Sequence, residues 1–434
     1  MQLITSNPNG TWQADAEQGL AGDSAKVDGT LTVTGHEDQT WEGWGACFNE
    51  LGWIALNKLP EEKREAILRE FFHPQEGCRF NFCRLPIGAS DYAAQWYSHN
   101  EHAGDYAMEQ FSVERDEKYL IPYIRAAKRY FPGLKLFASP WSPPTWMKFP
   151  PVYNYGRLIQ TEENLRAYAL YLVKFLQAYA CRGLPIAQLH VQNEPVADQK
   201  FPSCVWTGEE MRDFIRDYLA PAFKEAGVDT GIWLGTLNTD DYDGFVHTVL
   251  SDERACASVA GIGLQWAGKG MVQRVRLAWP QKPVIQTENE CGNGTNTWAY
   301  AHYVYRLFWH YITNGVVAYT YWNMVLEPGG ESTWGWKQNS LVTVDPQNGE
   351  VHWNPEFFVM KHFSHFVERG ARRLAVSNNF AANSVAFRNP DGQVVVVLEN
   401  PFRRRFRVGI EAEGRERVVV ELPEFGFATL VLDA

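Results

Sequence analysis

The 434-residue sequence has no apolar run of the ~18 residues that a membrane-spanning helix needs. Its longest candidate, 167–180, is broken by Lys174 and Gln177. Positive charge is in deficit: 40 Lys and Arg against 51 Asp and Glu give a net charge of −11. That argues against a nucleic-acid backbone or an anionic membrane as the main partner. Cysteine is sparse and odd in number, seven in all, so at least one is unpaired. The closest pair, Cys78 and Cys83, has no second pair at zinc-site spacing. Cys47, Cys83 and Cys291 lie in or beside apolar runs, which predicts buried free thiols rather than a disulfide framework. The start, MQLITSNPNG, has neither a basic n-region nor an apolar h-region. The expectation is a cytoplasmic location, although a mature secreted form would read the same. There is no Gly-x-Ser-x-Gly elbow, and Gly261-Ile262-Gly263 lacks the third glycine of a dinucleotide loop. His362 and His365 share a helix face, but no carboxylate or cysteine completes a metal set. No metal or cofactor is expected.

What is present is a globular balance, 45% hydrophobic and 21% charged, with 17 tryptophans. Tryptophan beyond core needs often forms flat platforms for ligands with apolar faces and polar rims, and a sugar ring is such a ligand. Eight strand-like runs (44–48, 80–85, 134–139, 186–192, 231–237, 260–265, 283–287 and 316–322) alternate with amphipathic stretches at 60–72, 119–130, 162–179, 208–226 and 298–313. Such alternation predicts a (β/α)₈ TIM barrel over 39–369, closed by a last helix at 355–367, with a doubly wound sheet as the lesser alternative. From 370 to 434 the runs are short and turn-punctuated, as at Asn389-Pro390-Asp391-Gly392, which predicts a small antiparallel β-module. Residues 1–38 are also strand-like and are expected to join that module as a β-sandwich. The basic run Arg403-Arg404-Arg405-Phe406-Arg407 reads as a solvated strand edge.

Barrel enzymes carry their reactive groups at the C-terminal ends of the strands. The fourth run ends Gln188-Leu189-His190-Val191-Gln192-Asn193-Glu194-Pro195. Alternation places Ala187, Leu189 and Val191 toward the helices and Gln188, His190, Gln192 and Glu194 inward. Asn193 reaches the same site only if the backbone leaves strand geometry, which Pro195 favours. The seventh run, Pro283 to Thr287 and on to Glu288-Asn289-Glu290, reads the same way, with Val284, Gln286, Glu288 and Glu290 inward. Glu288, on the strand end, is favoured over Glu290 because a nucleophile needs a rigid mounting. Two such carboxyls can hydrolyse a glycosidic bond, one as the acid and the other attacking the anomeric carbon. Trp322 ends an inward column (Val316, Ala318, Thr320) and could floor a sugar subsite. Trp334 and Trp336, in a polar Gly-rich loop, read as rim platforms.

The strings Ser139-Pro140-Trp141-Ser142-Pro143-Pro144-Thr145-Trp146-Met147-Lys148, Gln192-Asn193-Glu194-Pro195, Gln286-Thr287-Glu288 and Trp322-Asn323-Met324-Val325-Leu326-Glu327-Pro328-Gly329-Gly330 resemble glycoside hydrolase family 30, the glucosylceramidase-like retaining β-glycosidases. The resemblance implies Glu194 as acid/base, Glu288 as nucleophile and Asn193 on the sugar 2-hydroxyl. It implies Asp91 on outer hydroxyls, Trp141 and Trp322 as sugar walls, Arg84 beneath the nucleophile, and Asn339 as a further contact. Where many relatives carry His-aromatic-Tyr after the sixth strand, this chain has Gln265-Trp266-Ala267, so Trp266 or another side chain must supply the donor near the nucleophile. The implied partner is a β-linked glucoside, oligosaccharide or polysaccharide. The leading reading is an exo-acting β-glucosidase, with an endo-β-1,6-glucanase or β-xylosidase as alternatives and a non-catalytic carbohydrate-binding barrel as a remote one. Oligomeric state stays open.

Overall fold

The computed structural model describes residues 1–14, 20–21 and 26–434. Eight parallel strands close into a barrel: β1 (Gly43–Cys47), β2 (Phe82–Ile87), β3 (Lys135–Pro140), β4 (Gln188–His190), β5 (Gly231–Leu237), β6 (Val259–Gln265), β7 (Val284–Glu288) and β8 (Ala318–Asn323). Each arises from one of the eight runs. Period-2 alternation sorts the side chains. Leu136, Ala138, Leu189, Val191, Ile232, Leu234, Ile262 and Leu264 join the core shared with the helices. Phe82, Phe137, Trp233, Ile285 and Ala318 plug the barrel interior. Glycine makes room for them. A Cβ on Gly261 would lie 2.4 Å from the Trp233 ring, and one on Gly263 2.5 Å from His190 Nδ1.

The outer helices include Glu61–Phe72, Leu120–Tyr130, Glu162–Cys181, Trp298–Thr313 and Pro355–Ser364. Thr161 and Thr297 begin two of them by accepting from main-chain N–H groups of the first turn. The 208–226 stretch is interrupted by a wide π-type turn at Ile215–Leu219, just before Pro221 removes a donor.

One expected pattern is corrected. On β7 the interior column is not Val284 and Gln286: Val284 packs into the outer core and Ile285 into the barrel interior. Glu288 nonetheless turns inward, because a bulge intervenes. Leu264 pairs with Gln286, but the next β6 residue, Gln265, pairs with Glu288, leaving Thr287 as the extra residue. One extra residue shifts the alternation by one. On β8, Val316 precedes the strand and packs in the outer core, while Ala318 faces inward as expected.

Both chain ends build the second module, a ten-stranded sheet folded into a β-sandwich. Strand Gln2–Asn7 pairs antiparallel with Gly426–Leu432. The long strand Gly29–Thr40 pairs antiparallel with Arg372–Ser377 and parallel with Phe406–Ala412. Leu3, Leu31, Val33, Val396, Val408 and Leu430 share its core. His362 bridges barrel and sandwich, its ring nitrogens 2.8 Å from Thr429 Oγ1 and 2.9 Å from Ser6 Oγ. His365 instead meets the Gly77 carbonyl. In the basic run, Arg404 pairs with Asp28, and Arg405 and Arg407 pair with Glu421. All seven cysteines are free thiols, five of them buried, with Cys256 half-buried and Cys181 exposed. Among the described residues no helix is long and apolar enough to cross a membrane.

Candidate active site

The β4 ladder stops at His190, and the next four residues leave strand geometry. Asn193 N–H donates to the Pro140 carbonyl of β3 (2.7 Å), whereas Glu194 N–H donates to the Thr236 carbonyl of β5 (3.0 Å). Glu194 sits at φ +47°, the left-handed region. This departure lets consecutive side chains open into one cavity, as the sequence reading required for Asn193. Such backbone costs about 1–3 kcal/mol and persists where its surroundings over-determine it. Trp266, on the wall of the same cavity, has the same φ.

The cavity, about 440 Å³, is lined by Asp91, Trp141, Asn193, Glu194, Trp266, Glu288 and Trp336 among others. Arg84 lies buried beneath it. Its Nη1 donates to Glu288 Oε2 (2.6 Å), and its Nη2 donates to Asn193 Oδ1 (2.6 Å) and Ser139 Oγ (2.7 Å). The guanidinium carbon is 4.5 Å from the centroid of the Trp141 ring. Gln265 joins the two acids: its Oε1 accepts from Arg84 Nη1 (3.3 Å) and its Nε2 donates to Glu194 Oε1 (2.8 Å).

This arrangement treats the two carboxyls differently. Burial pushes Glu194 well above the usual carboxylate range, and the charges of Glu288 and Asp91 push it further. Burial raises Glu288 too, but the Arg84 guanidinium pulls it back, as do the Trp266 indole and the Cys291 thiol. Arginine thus lowers Glu288 as expected without returning it to the ordinary value. The Cys291 Sγ stands 3.8 Å from Glu288 Oε1. The Trp266 N–H faces the carboxyl without closing a short hydrogen bond. Trp266 and Cys291 thus flank Glu288 beside Arg84. Two carboxyls over one cavity, one raised strongly and the other held lower by an arginine, are the kind of unlike pair that glycosidic hydrolysis uses.

Asp91 also opens here; its Oδ1 has no protein partner, and burial raises its pKa strongly. Trp141 forms a wall. Trp322, expected as a floor, is fully buried and stacks behind Trp141 with centroids 5.5 Å apart, so it supports the wall instead of forming one. Trp336 reaches the cavity, whereas Trp334 packs edge-on against Trp96 (4.6 Å) and beside Ala89, Ala93 and Tyr97. Glu290, the rival nucleophile, is tied to Lys269 Nζ and the Tyr303 hydroxyl.

Asn339 is corrected. It is fully buried away from the cavity, and its Oδ1 accepts from the N–H groups of Gly294 (2.8 Å) and Asn296 (3.3 Å). It fastens the loop after β7, because its Nδ2 donates to Glu356 Oε1 (2.5 Å). Burial pushes the Glu356 carboxyl up to about 7 from an ordinary 4.5. The folded-state value lies above the unfolded one, so this group's contribution to stability is complete below pH ~4.5 and lost as pH rises to about 7. Glu356→Gln is therefore expected to remove roughly 2.5 kcal/mol of the fall in unfolding free energy between pH 5 and pH 8. Urea denaturation at the two pH values checks this; an unchanged fall would contradict it.

Sequence reasoning missed Gln199, Phe201, Asn238, Lys269 and Gln338, which also line the cavity. Four sit on loops and Lys269 on a short 3₁₀ helix, where neither periodicity nor a chemical pair singles them out. Gln338 had one signal, its place beside Asn339 in the loop that follows Gly330.

A closed parallel barrel with two unlike carboxyls at its C-terminal face is the design of a carbohydrate-cleaving hydrolase. Residues 41–367 match the Glycosyl hydrolase family 30 TIM-barrel domain, and residues 370–430 the Glycosyl hydrolase family 30 beta sandwich domain. The chain belongs to glycosyl hydrolase family 30 and is a glycoside hydrolase. It is 28% identical to the lysosomal acid glucosylceramidase of Mus musculus over 83% of this chain and 75% of that one. It is also 28% identical to the endo-1,6-beta-D-glucanase of Neurospora crassa, over 93% and 90% respectively. The crystal structure of SrfJ from Salmonella typhimurium superposes with a TM-score of 0.91 at 27% identity, covering 100% of this chain and 99% of that one.

Proposed function

We propose that the protein is an exo-acting β-glucosidase working with retention, with Glu288 as nucleophile and Glu194 as acid/base. The observation that carries this reading is the placement of Arg84, which bonds Glu288 at 2.6 Å, while among the described residues no cation pairs with Glu194. Glu194, protonated, donates to the departing oxygen while the ionised Glu288 attacks the anomeric carbon. Glu194, now ionised, then takes a proton from the water that releases the sugar. Asn193, oriented by Arg84, has its Nδ2 free for the 2-hydroxyl. Trp141 gives the ring an apolar face, and Asp91 lines the cavity where its carboxyl can meet outer hydroxyls. A carboxyl lining the pocket that can take two neighbouring hydroxyls favours a terminal glucosyl unit over the middle of a chain.

The likeness to an endo-1,6-glucanase favours a second reading, in which Trp336 carries further sugars of a β-1,6-glucan. A time course on aryl β-glucoside, aryl β-xyloside and β-1,6-linked gluco-oligosaccharides separates the two. The exo reading expects glucose alone from the first minutes, as the β-anomer by proton NMR. Early mixed oligomers would establish the endo reading instead. An initial α-anomer would refute retention, and a preference for xyloside would refute the choice of sugar.

A further inference from the structure

Three buried amides run in one direction from the outer shell to the cavity. The main-chain N–H of Gly52 donates to Asn49 Oδ1 (2.8 Å). Asn49 Nδ2 donates to Asn323 Oδ1 (2.8 Å), and Asn323 Nδ2 donates to Gln338 Oε1 (3.0 Å). A carboxamide has one donating and one accepting end, while a main-chain N–H can only donate. The first bond therefore sets the direction of every amide after it. Gln338 is left with its carbonyl turned to Asn323 and its NH₂ group turned away.

Gln338 is 3% exposed and lines the cavity. Among the described residues, no protein acceptor takes a hydrogen bond from its Nε2, which is not sealed from the cavity. Its main chain is fixed, since its N–H donates to the Gly330 carbonyl (3.1 Å). The same carbonyl accepts from the hydroxyl of Tyr92 (2.7 Å), the residue after Asp91. The pocket wall that carries Asp91 thus also carries an unpaired, oriented donor, Gln338 Nε2. A sugar hydroxyl bound there can accept from this amide.

We propose that Gln338 Nε2 donates to an outer hydroxyl (O3, O4 or O6) of the glucosyl ring bound over Glu288. Gln338 is then a specificity-determining residue, and Asn49 and Asn323 are positioning residues that hold its amide in the donating orientation. The assignment rests on the proposed reading of a β-glucoside substrate.

The test measures kcat/KM of wild type, Gln338→Leu, Gln338→Glu and Asn323→Asp on an aryl β-glucoside and its 3-, 4- and 6-deoxy analogues. Wild type is expected to lose about 10- to 100-fold on one analogue, where the donor is left unpaired. Gln338→Leu and Gln338→Glu lose a similar factor on the parent glucoside and nothing further on that analogue. Asn323→Asp still accepts from Asn49 but cannot donate to Gln338, so the amide turns over and the same analogue becomes silent. Equal losses on parent and all analogues would reduce Gln338 to a structural role and overturn the proposal, as would an unchanged parent rate. Thermal midpoints show which variants fold, and the near-isosteric Gln338→Glu and Asn323→Asp carry the test if Gln338→Leu does not. Failure of the wild type to cleave any glucoside would sink the functional reading alone. The same cycle then tests Gln338 on deoxy analogues of whichever glycoside is cleaved.

Discussion

Glu288→Gln is expected to lower kcat/KM by about 10⁵-fold, roughly 7 kcal/mol of transition-state stabilisation, while the protein stays folded and still binds sugar. The amide keeps an oxygen for Arg84 Nη1, so the hydrogen bond beneath the site survives the loss of charge. Glu288→Ala removes the same nucleophile and strands the buried guanidinium, which should cost about 3–5 kcal/mol of stability besides. The two variants thus separate chemistry from folding. Steady-state kinetics with thermal unfolding of each reads both. Unchanged turnover in a folded Glu288→Gln protein would move the nucleophile elsewhere. Glu290 is a poor substitute, because Lys269 and Tyr303 already occupy its carboxyl. No turnover by the wild type, with sugar still bound, would return the remote reading of a binding barrel.

Glu194→Ala is expected to show a different signature. Its loss should depend on the leaving group: about 10³- to 10⁴-fold for an alkyl or sugar aglycone, which needs a proton, and far less for a dinitrophenyl aglycone, which does not. Azide, small enough for the vacated space, should restore turnover and yield a β-glucosyl azide. The pH profile tells the same story. The working form has Glu194 protonated and Glu288 ionised. Activity should therefore fall as pH drops through the raised value of Glu288 and fall again as pH climbs through the more strongly raised value of Glu194. The pair titrates together, so the two limbs belong to the dyad. Removing Glu194 should abolish the alkaline limb and keep the acid one. An intact alkaline limb in Glu194→Ala, or equal losses for good and poor leaving groups, would deny it the acid role.

Much of the architecture was legible because burial writes a period into the chain. The eight barrel runs and the helix at Trp298–Thr313 follow from alternation and 3.6-residue repeats alone. The alternation failed where the backbone itself changes. A bulge opposite Gln265 rotates Glu288 inward, although strict counting gives the inward column to the wrong residues of β7. Glu288 faces inward as alternation predicts, but only because a bulge, which leaves no periodic trace, offsets the wrong starting column. Arg84 and Asp91 were found through motif and strand-end position, and geometry brings them to the same cavity as Glu194 and Glu288. Asn339, Trp322 and Trp334 were drawn from the same kinds of signal, yet none of the three lines the cavity. Residue type and loop membership do not encode which of two neighbouring side chains faces inward. Gln338 and Asn339 differ only in that, and the direction is set by Asn49 and Asn323 from distant parts of the chain.

The central claim is that Glu288 forms a covalent bond with the anomeric carbon. Incubation with dinitrophenyl 2-deoxy-2-fluoro-β-glucoside, followed by proteolysis and peptide mass spectrometry, tests it most directly. The account predicts one fluoroglucosyl group per chain, on the peptide bearing Glu288 and on that side chain by fragmentation. A label on Glu290, Asp91 or Glu194 would contradict it, as would turnover of the probe with inversion and no trapped intermediate.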